Sequence, residues 1–260
     1  MNLFILTDLE GIAGVLDIEF MGRDKEKYQI ACRCLEKSIN LAVEAAFDAG
    51  ADKVYYFDGH GGGGNVNEEN IDKRAKKCNI NEWQDLIISG EIDCQIEIGA
   101  HARPGTVGGF LDHTLSSMHI FTYKINGVEM SEYSIHALFC SAYNVPVIAC
   151  IGDEAACRQA KEYNPTIFTG AVKYAKIRNQ ATDYENADEI LVSTVKTAIK
   201  NYKSVGFYKL EAPYILDVTY YRTDMCEDVI KMRGEIYERI DARTLRKRIG
   251  KIVRYNDLKL

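Results

Sequence analysis

The sequence has 260 residues, of which 47% are hydrophobic and 27% are charged, a length that suits one large domain or two closely packed ones at roughly 100–200 residues each. Lys and Arg number 32 against 38 Asp and Glu, and the resulting net charge of −6 disfavours nonspecific binding to nucleic acid or to a membrane surface. The first residues lack the segments of a signal peptide, and no run of about 18 apolar residues occurs. The 8 cysteines include no CxxC pair. We therefore expect a cytoplasmic protein with reduced cysteines.

The first half of the chain alternates between strand patterns and helix patterns. Residues 2–7 and 53–57 are short apolar runs rich in strand-forming residues. Between them, residues 25–48 carry apolar side chains at helical spacing, and Gly50 stands where a helix C-cap belongs. The alternation continues with strands at 94–99 and 119–125, a helix over Ser131–Tyr143 and a strand over Val145–Ile151. Strands that alternate with helices predict an α/β fold with a mainly parallel sheet flanked by helices.

The remainder of the chain predicts a smaller C-terminal α+β part. A helix pattern spans residues 186–203, an apolar run spans Tyr214–Tyr221, and a closing basic helix is predicted over Ala242–Tyr255. We therefore divide the chain into a larger α/β domain at residues 1–205 and a smaller part at residues 206–260, with a single domain as the alternative.

Acidic and histidine side chains follow three of the predicted strands. Asp8 and Glu10 come at the end of the first strand, two residues apart, so both carboxylates can point to one side of the sheet edge where open α/β sheets bind ligands. His60 follows the second strand, before four glycines, and His101 follows the strand at 94–99. Two carboxylates on one side repel each other unless a cation or a proton lies between them.

Two further candidates come later in the sequence. Glu132 lies in the first turn of its predicted helix and offers another carboxylate, with His136 one turn further on the same face. His113 lies in a glycine-rich stretch, where a proton-transfer group beside a metal site is expected. Such a mixed set of carboxylates and imidazoles suits zinc, manganese or iron, and suits two ions better than one because an aspartate can bridge them.

In this order the motifs resemble the D-aminopeptidase family of dinuclear zinc peptidases. The resemblance covers roughly residues 1–180 and rests on separated motifs in the family's order, which together are far more specific than any one alone. The motifs are Thr7-Asp8-Leu9-Glu10-Gly11-Ile12-Ala13-Gly14, Asp58-Gly59-His60, Gly99-Ala100-His101-Ala102-Arg103, His113, Ser131-Glu132, Val145-Pro146-Val147 and Gly152-Asp153-Glu154.

The resemblance implies a function and a set of site residues. Asp8 would bridge two zinc ions per subunit, and His113 would match the catalytic histidine. The remaining metal ligands would be Glu10, His60, His101 and Glu132. The family further implies homo-oligomeric rings, with a decamer as the expected size, that remove N-terminal D-residues from short peptides.

The expected reaction is metal-assisted hydrolysis of an amide bond. In it, His113 protonates the departing amine or stabilises the oxyanion. Lys173 and Arg178 are candidates for substrate contact, with a solvated surface as the alternative.

Two alternative functions remain open at this point. A haloacid-dehalogenase-like phosphatase would use Asp8 as nucleophile and Asp153 as a metal ligand, although it expects a second aspartate where this chain has Glu10. A non-catalytic oligomeric metal-binding protein would keep the site without turnover. A serine esterase is disfavoured because the chain contains no G-x-S-x-G motif.

Overall fold

The computed structural model describes residues 1–23, 25–233 and 237–260. Its strands are β1 Asn2–Thr7, β2 Lys53–Asp58, β3 Ala75–Lys77, β4 Cys94–Ala100, β5 Ile120–Ile125, β6 Val128–Glu129, β7 Val147–Asp153, β8 Phe168–Ile177, β9 Gln180–Asp183, β10 Tyr214–Tyr220, β11 Glu238–Arg239 and β12 Thr244–Ile249. Its α-helices are α1 Glu26–Asp48, α2 Ile80–Ser89, α3 Glu132–Ala142, α4 Glu154–Tyr163, α5 Ala187–Lys200 and α6 Thr223–Arg233.

A seven-stranded sheet forms the centre of the fold, in the order β3-β2-β1-β4-β7-β8-β9. Its neighbouring strands run parallel except for the antiparallel hairpin of β8 and β9. The predicted α/β class, with a mainly parallel sheet flanked by helices, is confirmed. Because β1, β2 and β4 are parallel neighbours, the residues that come after them meet at one edge of the sheet.

Each face of this sheet covers its own hydrophobic core. One core lies against α1 and α5, whose buried side chains include Leu35, Ile39 and Val195. The other contains Trp83 of α2 and Phe139 of α3 together with residues of the second sheet. The parallel strands are therefore covered on both faces, which explains why β4 and β7 are buried throughout.

The second sheet has five antiparallel strands in the order β11-β12-β10-β5-β6. It takes β5 and β6 from the middle of the chain and the other three strands from residues after 205. The strand predicted at 119–125 is present as β5, but it pairs with β10 instead of continuing the parallel sheet. Inward-facing side chains such as Tyr123 and Val218 are buried and join the second core.

The basic helix predicted over Ala242–Tyr255 is wrong. The segment forms β12, in antiparallel register with β10, and a short 3-10 helix at Tyr255–Leu258. Arg246 makes a two-pronged ion pair with Asp217 on β10, at 2.7 Å and 2.8 Å. The basic side chain of Arg246 therefore pairs with an acidic residue on a neighbouring strand that is distant in sequence. A search for helical periodicity cannot reveal such a pair.

Several elements have no counterpart among the predicted ones: α2, α4, α6, β3 and the β8–β9 hairpin. All 8 cysteines are free thiols, as expected, and most of them are buried. Among the described residues, no helix combines the length and the apolar character that crossing a bilayer requires.

Candidate metal centre

The loop after β1 presents the first two carboxylates. Asp8 donates its backbone N–H to the carbonyl of Ile98 at 2.8 Å, and Gly11 donates to the carbonyl of Gly99 at 2.8 Å. Gly99 has φ +82°, and a Cβ added to it would lie 2.0 Å from the carbonyl oxygen of Asp8. Only glycine therefore allows the ends of β1 and β4 to approach this closely.

Lys173, on β8, supports this loop from inside the protein. Its side chain is fully buried, and its ammonium donates to the carbonyl oxygen of Glu10 at 2.9 Å and to that of Val15. It also lies 4.9 Å from the centre of the Phe110 ring. Lys173 is thus neither a substrate contact nor a solvated residue, contrary to both sequence-based alternatives.

A polar turn after β2 positions His60. Asn65 donates its side-chain amide to the carbonyl of His60 and to the carboxylate of Asp58, each at 2.8 Å. The imidazole Nδ1 of His60 lies 3.1 Å from Asp8 Oδ1 and 3.0 Å from Glu10 Oε2. The first histidine is therefore brought to both carboxylates of the β1 loop.

His101 and Glu132 meet the other oxygen of Asp8. The Nε2 of His101 lies 3.2 Å from Asp8 Oδ2 and 3.4 Å from Glu132 Oε1. Ser131 caps α3 by accepting the N–H of Ser134, which places Glu132 at the first position of the helix. The five predicted metal-ligand residues therefore lie around a shared centre at Asp8.

His113 approaches the same centre from the loop between β4 and β5. Its Nε2 lies 3.6 Å from Glu132 Oε1 and 3.9 Å from Glu10 Oε1, and its ring stacks on that of His101 at 4.1 Å between centroids. Its Nδ1 lies 2.8 Å from the carbonyl of Leu111. Since a carbonyl only accepts, Nδ1 carries a proton, and Nε2 is the atom available for chemistry.

The carboxylates of the cluster favour positive charge on the groups beside them. Burial lowers the pKa of His60, but the carboxylates of Glu10 and Asp8 outweigh it and raise that pKa to about 11. Burial also lowers the pKa of His101, but the carboxylates of Glu132 and Asp8 raise that pKa well above its usual value. Conversely, burial raises the pKa of Asp8, but the two neighbouring imidazoles lower it well below the usual range. Protons on the imidazoles thus balance the carboxylates when no other cation does.

The donor atoms suit two metal ions that share one ligand. Two groups of ligand atoms lie close together, one from Asp8, Glu10 and His60 and the other from Asp8, His101 and Glu132. Zinc bonds of about 2.0–2.2 Å at tetrahedral angles would place neighbouring donors roughly 3.3–3.6 Å apart, and the distances here, from 3.0 Å to 3.4 Å, are close to that range. A third group, of Glu10, His101 and His113, also occurs.

One buried nitrogen atom, the Nε2 of His101, indicates where a cation is needed. Within the described part of the chain, the Nε2 of His101 is buried without a hydrogen bond. Its other nitrogen, Nδ1, faces the carbonyl of Ala102 at 3.1 Å and so donates to it. In the neutral ring, Nε2 would then direct a lone pair at Asp8 and Glu132, which is favourable only if a cation lies between them. The residues present therefore fit a metal ion.

Comparison with known proteins identifies the family. The model of the D-aminopeptidase family matches residues 1–256. The chain belongs to this peptidase family. A curated D-aminopeptidase of Bacillus subtilis strain 168 is 27% identical over 201 residues, which cover 76% of this chain and 73% of that protein. The fold is similar to a solved structure from Bacillus subtilis, the Zn-dependent D-aminopeptidase DppA, described as a self-compartmentalizing protease. In that match the TM-score is 0.89 and the identity 22%, covering 99% of this chain and 95% of that one.

Membership of the D-aminopeptidase family makes the chain a hydrolase and gives no support to the phosphatase alternative. The structure adds a reason. Asp153 is fully buried, and its carboxylate accepts the N–H groups of Phe110, at 2.9 Å, and Ala156. Asp153 therefore anchors the loop that carries His113. The sequence does not reveal this role, because the N–H of Phe110 lies 43 residues away from Asp153.

Two other histidines lie outside the ligand cluster of this family member. His136 pairs with Glu97 at 3.1 Å and packs against Trp83, so it does not join Glu132 as a ligand. His119 precedes β5 and shares a hydrogen bond with the hydroxyl of Ser116 at 2.9 Å.

A cavity of about 890 Å³ opens onto the cluster. Most side chains of the cluster line it, and the second sheet contributes Tyr123, Val218 and Tyr220 to the lining. Arg178 also lies on the wall, but its guanidinium pairs with Asp112 at 2.9 Å. This space is large enough for a short peptide.

Proposed function

We propose that this chain is a dinuclear zinc-dependent aminopeptidase that removes N-terminal D-residues from short peptides. The observation that carries the proposal is the pair of donor groups that share Asp8, one through each carboxylate oxygen. The name of the solved Bacillus subtilis structure supports the zinc dependence, and that name and the name of the curated protein both support the preference for D-residues.

The proposed ligands divide between the two ions. Glu10 and His60 would hold one ion, His101 and Glu132 would hold the other, and Asp8 would contribute to both. Zinc ions held there would supply Lewis acidity, which polarises a peptide carbonyl and makes water a better nucleophile near neutral pH.

We assign the proton transfer to His113. Because its Nδ1 is held by the carbonyl of Leu111, the ring has one fixed orientation, with Nε2 towards Glu10 and Glu132 at the cavity wall. At Nε2 the ring can hold a proton for the departing amine or donate a hydrogen bond to the oxyanion. Asp153 keeps this loop in place through the N–H of Phe110.

We also propose a homo-oligomeric ring of ten subunits, and the self-compartmentalizing description of DppA supports its closed assembly. A cytoplasmic location agrees with 8 free cysteines because disulfides are rare in reducing compartments.

The decisive experiment combines zinc analysis with hydrolysis of D- and L-dipeptides, with and without a chelator. We expect two zinc ions per subunit, faster hydrolysis of the D-substrates and loss of activity on chelation. A full zinc content without hydrolysis of any peptide would favour the non-catalytic alternative.

His113 is tested separately by His113→Ala. Loss of a general acid or oxyanion donor should lower kcat by about 10²–10⁴-fold with zinc content unchanged. His119→Ala is the matched control. His119 also lines the cavity, but its side chain bonds to Ser116 and to none of the ligand residues that the structure describes, so kcat and zinc content should change by less than about threefold even if KM changes. An unchanged kcat in His113→Ala at full zinc content would remove the assigned role.

A further inference from the structure

Lys259, a cation in the cavity wall, forms no ion pair with the residues that the structure describes. Lys259 lines the cavity together with Tyr255 and Glu132. Among the described residues, its ammonium takes part in no ion pair, and it lies 4.4 Å from the centre of the Tyr255 ring. The ring of Tyr255 compensates this partly buried charge only in part, so the missing ion pair suggests that a ligand supplies an anion.

The backbone of this segment is firmly held. The ammonium of Lys247 donates to the carbonyl of Asp257 at 2.8 Å and to that of Lys259 at 3.0 Å. The hydroxyl of Tyr123 donates to the carbonyl of Leu258, whose side chain is fully buried. Lys259 is therefore presented to the cavity from a fixed position instead of a loose tail.

The local charge balance favours an anionic ligand. Burial lowers the pKa of Lys259, and the nearby Glu132 carboxylate opposes that change. Two divalent ions in the cluster would compensate the charge of Glu132, and no ion pair among the described residues would then balance Lys259. The other cavity cation, Arg178, is paired with Asp112.

We propose that Lys259 binds the C-terminal carboxylate of the substrate, so that the enzyme selects short peptides with a free C-terminus. The inference rests on the proposed function, because a scissile bond at the metal ligands fixes where the peptide begins. An extended chain spans about 3.3–3.6 Å per residue, so an ammonium that lines the same cavity as Glu132 is within reach of the carboxylate of a di- or tripeptide. Lysine offers a compact point charge for such a contact.

The test compares ligands that differ only in this carboxylate. D-alanyl-D-alanine and its C-terminal amide are the substrates, and their analogues with a non-hydrolysable methylene-amine link are the binding probes. Wild-type protein, Lys259→Met, Lys259→Arg and the control Lys251→Met are compared in the zinc-loaded state. Lys251 is exposed on the same C-terminal segment and does not line the cavity.

We expect wild type to prefer the free acid in both kcat/KM and binding. Lys259→Met should lose about tenfold or more on the free acid and less than twofold on the amide, because one charge-assisted contact is removed. Lys259→Arg should keep most of the preference, and Lys251→Met all of it.

Each alternative outcome is informative. Equal losses on acid and amide, or no preference in wild type, would overturn the role of Lys259. If wild type hydrolyses neither substrate but binds the free-acid analogue through Lys259, the proposed peptidase activity fails while the carboxylate site stands.

Discussion

Replacing Lys173 with methionine removes the buried ammonium that supports the Asp8–Glu10 loop. Methionine fills much of the space of the lysine stem but donates no hydrogen bond. The carbonyl oxygens of Glu10 and Val15 would both lose their donor. We therefore expect the effect to appear in metal binding more than in global stability.

The magnitude comes from two opposing contributions. Two buried carbonyls left unpaired cost about 1–3 kcal/mol each, or about 2–6 kcal/mol together. Against this, burial lowers the pKa of Lys173 from 10.5 to about 8, which corresponds to roughly 3 kcal/mol against the charged side chain. The free energy of unfolding should therefore change by between about +1 and −3 kcal/mol, while a loosened ligand loop should weaken zinc binding by about 10–100-fold.

Zinc affinity is measured by competition with a chelator, and stability by urea unfolding of the zinc-free protein. Lys196→Met is the control, since it removes a lysine from a surface ion pair with Asp48 at 2.8 Å and should cost at most about 1 kcal/mol. A zinc affinity of Lys173→Met within twofold of wild type would refute the reasoning.

Three further predictions concern the sheet edge, the catalytic loop and the metal. Gly152→Ala would place a Cβ 2.0 Å from the carbonyl oxygen of Ala100. It should lower the free energy of unfolding, measured by urea titration, by about 1–3 kcal/mol or more. The control Gly250→Ala has open space around it, and its free energy of unfolding should stay within about 0.5 kcal/mol of wild type. Asp153→Asn keeps only one acceptor oxygen for two N–H groups, so kcat should fall while zinc content stays full, and a normal kcat would argue against the anchoring role. Chelation should lower Tm, and zinc should restore it in a concentration-dependent way; a Tm that is indifferent to zinc would contradict a site that binds the native state.

The sequence predicts the residues of the site better than their supports. Asp8, His60 and His101 each come directly after a strand or its final turn, and parallel neighbouring strands bring the residues at their carboxyl ends to one edge. Lys173 and Asp153 act through backbone groups that are distant in sequence. Such contacts leave no local periodicity, so motif spacing cannot reveal them.

The second sheet shows a similar limit. Residues 244–249 carry a run of basic side chains that also fits an exposed helix face, and their strand state depends on pairing with β10. The ion pair of Arg246 and Asp217 can fix the register of β12 on β10 only after folding has brought these two strands together. Short segments of this kind are set by tertiary contacts more than by their own pattern.

The central claim is that two metal ions share Asp8, and anomalous diffraction at the zinc absorption edge tests it most directly. Crystals of the zinc-loaded protein should show two anomalous peaks per subunit, one contacted by Asp8, Glu10 and His60 and the other by Asp8, His101 and Glu132. A single peak, or two peaks that do not both contact Asp8, would contradict the account.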